Sequence, residues 1–295
     1  MSESRVTEDQ FLGALLGMAI GDALGVPLRG QSAEEITSKF GEVTGYLTPP
    51  DPESGSTSPI GQISDKTEIA LCIVESLTTN DGLFDFDNIA ARMAFVARSP
   101  SRATMSEPTI QGIERSASEG DVVDSSIEDP PGPAVATRGI PFGLMHAIGS
   151  FDPDSLRRET DLATRLSHRG NPAAELTFDV AMHICAATRQ PDDLLGWLQT
   201  PTSGSGSSAI EFIGRTIAES DTYEQGVLTI VSAGGDADAL GATAGGIAGA
   251  RFGASGIPQQ LIDDLDARIY LSLAAPWFYR TAMRRQGTVI DLRTV

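Results

Sequence analysis

Two glycine ladders constrain this chain more than any other feature. Gly13, Gly17, Gly21 and Gly25 recur every four residues near the start, and Gly241, Gly245, Gly249 and Gly253 do the same near the end. Both runs otherwise read as apolar helices, FLGALLGMAIGDALG and ALGATAGGIAGARFG. Glycine inside a helix costs about 1 kcal/mol relative to alanine, so eight of them need a compensating gain. Residues four apart share one helix face, and a face stripped of side chains lets another backbone come close. The ladders therefore predict two tightly buried central helices. If the two pack near each other, Asp22 on the first approaches the acidic loop that opens the second.

The rest of the chain follows the same period. Apolar residues recur at helical spacing near 8–26, 67–79, 86–98, 107–118, 153–168, 172–188, 191–199, 208–219, 221–233, 238–252 and 258–285, with few alternating runs. Pro/Gly/Ser loops interrupt them at Thr48–Gln62, Glu128–Pro133 and Pro201–Ser208, and the tail Thr288–Val295 reads as a short strand or a frayed end. None of these loops separates segments of different composition. The expectation is one all-α domain over residues 1–295.

Charge bounds the partners. Forty acidic against 21 basic side chains give a formal net charge of −19, with no basic face to release counterions from nucleic acid or an anionic membrane. Only Lys39 and Lys66 are lysines. Scarce lysine and abundant aspartate suit a salt-rich cytoplasm, and a codon bias toward arginine accounts for the lysines equally well. Cys72 and Cys185 sit in apolar helical patterns and read as reduced core residues. The apolar run from Phe11 to Leu28 follows Glu3, Glu8 and Asp9, contains Asp22 and lacks a basic leader, so it does not read as a secretory signal. The expected location is cytoplasmic.

Two acidic clusters stand directly before apolar helices. The first is Ser64-Asp65-Lys66-Thr67-Glu68 and the second Gly234-Gly235-Asp236-Ala237-Asp238-Ala239. Singly, each reads as a helix cap, since short polar side chains satisfy the first amides and carboxylates suit a helix N-terminus. Together they offer more. Hard divalent ions want several oxygen ligands, which two Asp-bearing loops from opposite ends of a chain can supply jointly. Gly234 and Gly235 also free the backbone for close approach of a ligand.

At these residues the chain resembles the ADP-ribosylglycohydrolase family. The similarity lies in FLGALLGMAIGDALGVPLRG, GQISDKTEIALCIVESL, RGIPFGLMHA, SHRGNP and GGDADALGATAGGIAGARFGASGIP, spread over residues 11 to about 258. The resemblance implies an all-α orthogonal helical bundle with a central cleft. It also implies a pair of Mg²⁺ or Mn²⁺ ions and hydrolysis of the bond between a ribose anomeric carbon and its acceptor. The implied partner is an ADP-ribose-type small molecule or an ADP-ribosylated protein. Asp65, Asp236 and Asp238 would be the catalytic carboxylates and, with Ser64, the metal ligands. Asp22, Arg138, His168, Gly234 and Gly235 would line the substrate.

Several positions depart from the family pattern. Lys66 stands where the first motif has a second aspartate, Ala239 where the last has a hydroxyl, and Arg29 where an acidic residue is usual. Gly132-Pro133-Ala134 replaces a small polar Gly-Asn-Gly type sequence. Three carboxylates against two cations leave one net negative charge before any metal binds, whereas the family's five carboxylates bring −5 to two dications of +4. A like-charge contact at ~4 Å costs roughly 4 kcal/mol at an effective dielectric of 20. One ion or none is therefore expected in place of two, unless the long cationic side chains turn away.

The remaining candidates have two readings each. Arg138 suits a phosphate, which guanidinium binds bidentately, or a buried structural contact. His168 reads as a substrate contact or as a helix-end histidine, and His146 and His183 as core residues. Trp277, Phe278 and Tyr279 suit adenine stacking or the core. Two functions follow: hydrolysis of an N- or O-ribosyl bond of an ADP-ribosyl or related nucleotide, with altered or reduced metal dependence, or binding of ADP-ribose or a related ligand without turnover.

Overall fold

A computed structural model of the chain describes residues 6–47, 60–119, 132–198 and 208–286. The loops at Thr48–Gln62, Glu128–Pro133 and Pro201–Ser208 lie largely outside these residues, and the tail Thr288–Val295 wholly so. Among the described residues the secondary structure is helical, apart from isolated β-bridge positions such as Ser32 with Gly234. The helices are α1 (Glu8–Gly25), α2 (Ala33–Phe40), α3 (Asp65–Thr79), α4 (Phe86–Val96) and α5 (Glu107–Glu119). Next come α6 (Pro133–Ala136), α7 (Gly139–His146), α8 (Pro153–Arg165), α9 (Asn171–Arg189) and α10 (Leu194–Leu198). The last are α11 (Ser208–Glu219), α12 (Tyr223–Ser232), α13 (Ala237–Phe252), α14 (Gln259–Asp263) and α15 (Arg268–Arg285).

The glycine ladders interlock. Helices α1 and α13 run antiparallel, with Gly13 against Gly249, Gly17 against Gly245 and Gly21 against Gly241. A Cβ added at any of the six would come closer than 3.0 Å to the opposing carbonyl, a separation real Cβ atoms do not adopt. The compensating gain is backbone-to-backbone packing at a distance only glycine permits. The end rungs differ from the simple ladder. Gly25 meets Ala237, because α13 begins there, and Gly253 is not helical but caps α13 with φ 74°. Tyr223 of α12, fully buried, donates its hydroxyl to Gly17 O at 2.9 Å and seals the pair from one side.

The other helices pack around this pair. Helix α15 covers α1 and α3, α12 covers α13, and α9 joins α13 to α7 and α8. The buried apolar residues form one continuous cluster from Phe11 to Met283. Helix α1 is long and apolar enough to cross a membrane by length and composition, yet 83% of its most apolar window is buried against this protein. Cys72 in that core and Cys185, also buried, are free thiols, and burial pushes the pKa of both up to about 12.

Three helices escape the periodicity and one expected helix is divided. All eight residues of α7 are buried, so it has no polar face to generate a period. Helix α6 is one turn, and α2 is eight residues opened by a Ser32–Glu35 capping box. The single helix expected over 258–285 breaks between Asp263 and Arg268. There Asp266 N donates to Gly61 O at 3.1 Å, and Gly61 (φ 75°) leaves no room for a Cβ against the Asp264 carbonyl.

Candidate functional site

A backbone clasp forms one wall of the site. Between α12 and α13 the chain turns through Gly234 (φ 77°) and Gly235 (φ 68°), both in the left-handed region that favours glycine. The turn pairs with residues 30–32. Ser32 bridges Gly234, Gly30 N donates to Gly235 O at 2.8 Å, and Gly235 N donates to Gln31 O at 2.8 Å. A Cβ at Gly234 would strike the Gln31 carbonyl. The clasp holds the segment after α1 beside the start of α13, which carries Arg29 to Asp238.

Asp22 forms the floor. It is fully buried on α1, one residue beyond the Gly21–Gly241 contact, and its carboxylate accepts four hydrogen bonds from the start of α3. Ser64 N and Oγ donate at 2.9 and 2.7 Å, and Thr67 N and Oγ1 at 3.3 and 2.6 Å. Burial still raises its pKa to about 6, against the pull of those donors and with a further push from the charge of Asp238. Asp22 lies within reach of the charge on the second acidic loop, as its place on α1 predicts, but its direct partners belong to the first.

Above this floor Lys66 joins the two acidic clusters. Its side chain is 3% exposed. The ammonium donates to Asp65 Oδ1 at 2.6 Å and to the Thr104 carbonyl at 3.2 Å, and lies 3.1 Å from Asp238 Oδ2. The Asp238 contact is an ion pair without hydrogen-bond alignment, so this buried oxygen accepts no aligned donor. Arg29 supplies a second positive charge to it, with NH1 at 3.5 Å, while the same nitrogen donates to Thr104 O at 2.9 Å. The Arg29 side chain is 42% exposed, so its guanidinium stands at the rim with Gly235 and Asp236, which are also exposed. Asp236 precedes the first residue of α13 and makes no side-chain cap, whereas Asp238 Oδ1 accepts from Ala239 N at 2.9 Å. Ala239 itself is buried and brings no side-chain oxygen.

Thr104 is the member of this cluster that sequence reasoning missed. It ends a short 3₁₀ turn, Pro100–Thr104, and its hydroxyl accepts from Asp65 N at 3.1 Å while its carbonyl accepts from both cations. A loop threonine acting through its carbonyl leaves no mark in a sequence. Thr67 lay inside the motif, and its hydroxyl proves to be the shortest donor to Asp22.

Arg138 and His168 form a separate buried chain. Arg138 NH1 donates to the Ala163 and Thr164 carbonyls at 2.9 and 3.4 Å, closing the end of α8, and NH2 donates to Ser167 Oγ at 2.5 Å. Burial lowers its pKa to about 10, with the charge of Asp65 opposing. Ser167 Oγ lies 2.8 Å from His168 Nδ1. The serine accepts from the arginine and keeps its own proton to give, so we assign Nδ1 as acceptor. Burial first, and the Arg138 charge second, push His168 down to about 3, so the ring is neutral. His146 pairs with Glu159 at 3.0 Å, and His183 Nδ1 lies 2.8 Å from its own helix's Asp179 carbonyl. Of the aromatic run, Phe278 and Tyr279 pack on Phe11, while Trp277 is exposed against Arg280.

Among the described residues no group of three or more His, Cys, Asp or Glu converges to hold an ion.

Known proteins share this arrangement of helices and loops. The sequence profile described as ADP-ribosylglycohydrolase matches residues 3–220 and 201–288. The ADP-ribosyl-[dinitrogen reductase] glycohydrolase of Rhodospirillum rubrum is 28% identical over 285 residues, covering 88% of this chain and 92% of that protein. An uncharacterised protein of Archaeoglobus fulgidus is 26% identical over 315 residues, covering 94% of this chain and 98% of its own length. A solved structure titled ADP-ribosylglycohydrolase-related protein complex superposes with a TM-score of 0.75 at 28% identity, covering 94% of this chain and 99% of that one. With nearly its whole length matched, and with both motif-bearing loops meeting over Asp22, the chain belongs to the ADP-ribosylglycohydrolase family.

Proposed function

We propose that the chain hydrolyses an N- or O-ribosyl bond of an ADP-ribosyl or related nucleotide substrate, with reduced dependence on metal. The observation that carries this reading is the meeting of the two motif loops over Asp22, with Arg29 paired to Asp238 and Asp236 exposed at the start of the same helix. The divalent pair usual in the family does not fit this donor set. Asp65 and Asp238 already share the Lys66 ammonium, and Ala239 offers no side-chain oxygen. No step is therefore routed through a metal.

The reaction needs only groups this chain carries. A water attacks the ribose anomeric carbon, the bond to the acceptor nitrogen or oxygen breaks, and the water's proton passes by way of a carboxylate to the departing acceptor. Asp236, exposed at the rim, is the carboxylate able to take that proton; general base catalysis of this kind contributes about 10²–10⁴-fold. Arg29 presents a guanidinium that suits a phosphate oxygen of the same substrate. Asp22, tied by four donors, holds the two loops in register.

A second reading is favoured by the pairing of Asp65 and Asp238 with cations, which leaves neither carboxylate available to water: the cleft binds an ADP-ribose-type ligand without turnover. One assay separates the two. ADP-ribosyl-arginine, ADP-ribosyl-serine and O-acetyl-ADP-ribose are incubated with the protein, with and without chelator, and free ADP-ribose is measured. Hydrolysis expects release that survives chelation and falls at least about 100-fold in Asp236→Asn. Binding of ADP-ribose by calorimetry without release establishes the second reading, and neither binding nor release overturns both.

A further inference from the structure

We infer that Lys66 is a resident cation of this site, a tethered ammonium that holds the two acidic loops together and excludes divalent metal. The inference uses the family reading only to name the position and stands whether or not the chain turns substrate over.

Geometry carries the argument. A lysine ammonium has three N–H donors, and three oxygens surround this one within 3.2 Å: Asp65 Oδ1, Asp238 Oδ2 and Thr104 O. They come from the first residue of α3, the second residue of α13 and the end of the 3₁₀ turn. One cation thus joins three segments far apart in sequence, a role that an oxygen-bound ion would otherwise fill. The snorkelling alternative raised by the sequence is closed, because the ammonium is buried and faces inward.

Charge balance points the same way. Asp65 and Asp238 are matched one to one by Lys66 and Arg29, so these two buried carboxylates offer a dication no net negative charge, and Asp236 adds only one. An ion sharing Asp238 would sit within a few ångströms of the buried ammonium. Repulsion at that distance is weakly screened below the surface. A buried carboxylate is poorly tolerated without its partner, so the aspartates and the lysine stabilise one another as a set.

The test is titration of the metal alone. Mn²⁺ is added to the full chain and free ion is followed by electron paramagnetic resonance, with calorimetry in parallel. The wild type is expected to take up no Mn²⁺ below millimolar concentration. Lys66→Asp combined with Arg29→Glu is expected to bind at least about 100-fold more tightly, since two charges reverse at the cluster. Lys66→Met, which leaves Asp65 without a cation and Asp238 with only the half-exposed Arg29, is expected to melt lower and to regain stability when Mn²⁺ is added. Stoichiometric Mn²⁺ binding by the wild type below about 0.1 mM, abolished by Asp238→Asn, would overturn the inference. So would a folded double variant, checked by circular dichroism, with no gain in affinity. The wild-type titration decides even if neither variant folds. Turnover does not enter the readout, so a failed hydrolase assay leaves the metal result intact.

Discussion

Replacing Gly21 by alanine separates the packing account of the ladder from helix propensity. In a helix free of neighbours the substitution stabilises by about 1 kcal/mol. Here the new methyl would lie closer than 3.0 Å to both the carbonyl carbon and the carbonyl oxygen of Gly241. The obstacle is backbone on both sides, so no rotamer change relieves it. The helices must part by about 1 Å, losing contact along the seam between α1 and α13; overpacking of this kind costs about 1–3 kcal/mol, occasionally more. With backbone on both sides the cost falls at the upper end of that range, and subtracting the propensity gain leaves a net loss of about 2 kcal/mol. Urea unfolding followed by circular dichroism measures it, and the midpoint is expected to fall with the slope unchanged. Gly235→Ala is the contrast, because nothing lies within 4 Å of its Cβ and only its φ of 68° opposes alanine. It should cost about 1 kcal/mol. A Gly21→Ala protein as stable as the wild type, or more so, refutes close packing as the reason for the glycines.

Two further outcomes test the buried polar chain. Arg138→Met removes three donors from acceptors that no water reaches and should destabilise by about 2–4 kcal/mol in the same assay. Arg138→Lys should rescue little of this, since one ammonium cannot span the fork, and a loss under about 1 kcal/mol would count against the helix-closing role. For His168 the folded pKa near 3 lies below the ordinary value of 6.5, so its contribution is complete above pH 6.5 and is lost as pH falls. Between pH 6 and 4 the wild type should therefore lose about 1.4 kcal/mol per pH unit more than His168→Gln, and parallel slopes would show that the ring charges in the native state.

The fold was legible where side chains leave a period, and the site where a motif leaves a spacing. The ladders announced the α1–α13 pair because only a close backbone approach repays so much glycine. Helix α7 was invisible as a helix, since uniform burial erases the alternation of polar and apolar faces. The substitutions at Arg29, Lys66 and Ala239 could be read directly, but the direction of the Lys66 side chain could not. The same sequence permits an ammonium turned outward, and the tertiary placement of Asp238 and of the Thr104 carbonyl shows which way it points. Arg138 shows the converse. Its chemistry suits a phosphate, yet the carbonyls at the end of α8 engage it first, and that competition arises from tertiary placement.

The partnership of α1 with α13 also sets an order of events during synthesis. Tyr223 meets the Gly17 carbonyl across 206 residues of chain, and Gly241 meets Gly21 later still. At 5–20 residues per second a ribosome needs on the order of 10–40 s to span that interval. Throughout it the long apolar helix α1 lacks its main partner, and closing so long a loop slows the final docking. Nascent chains should therefore depend on holding factors until the second ladder emerges, and truncation before residue 237 should yield aggregates in place of a smaller folded product.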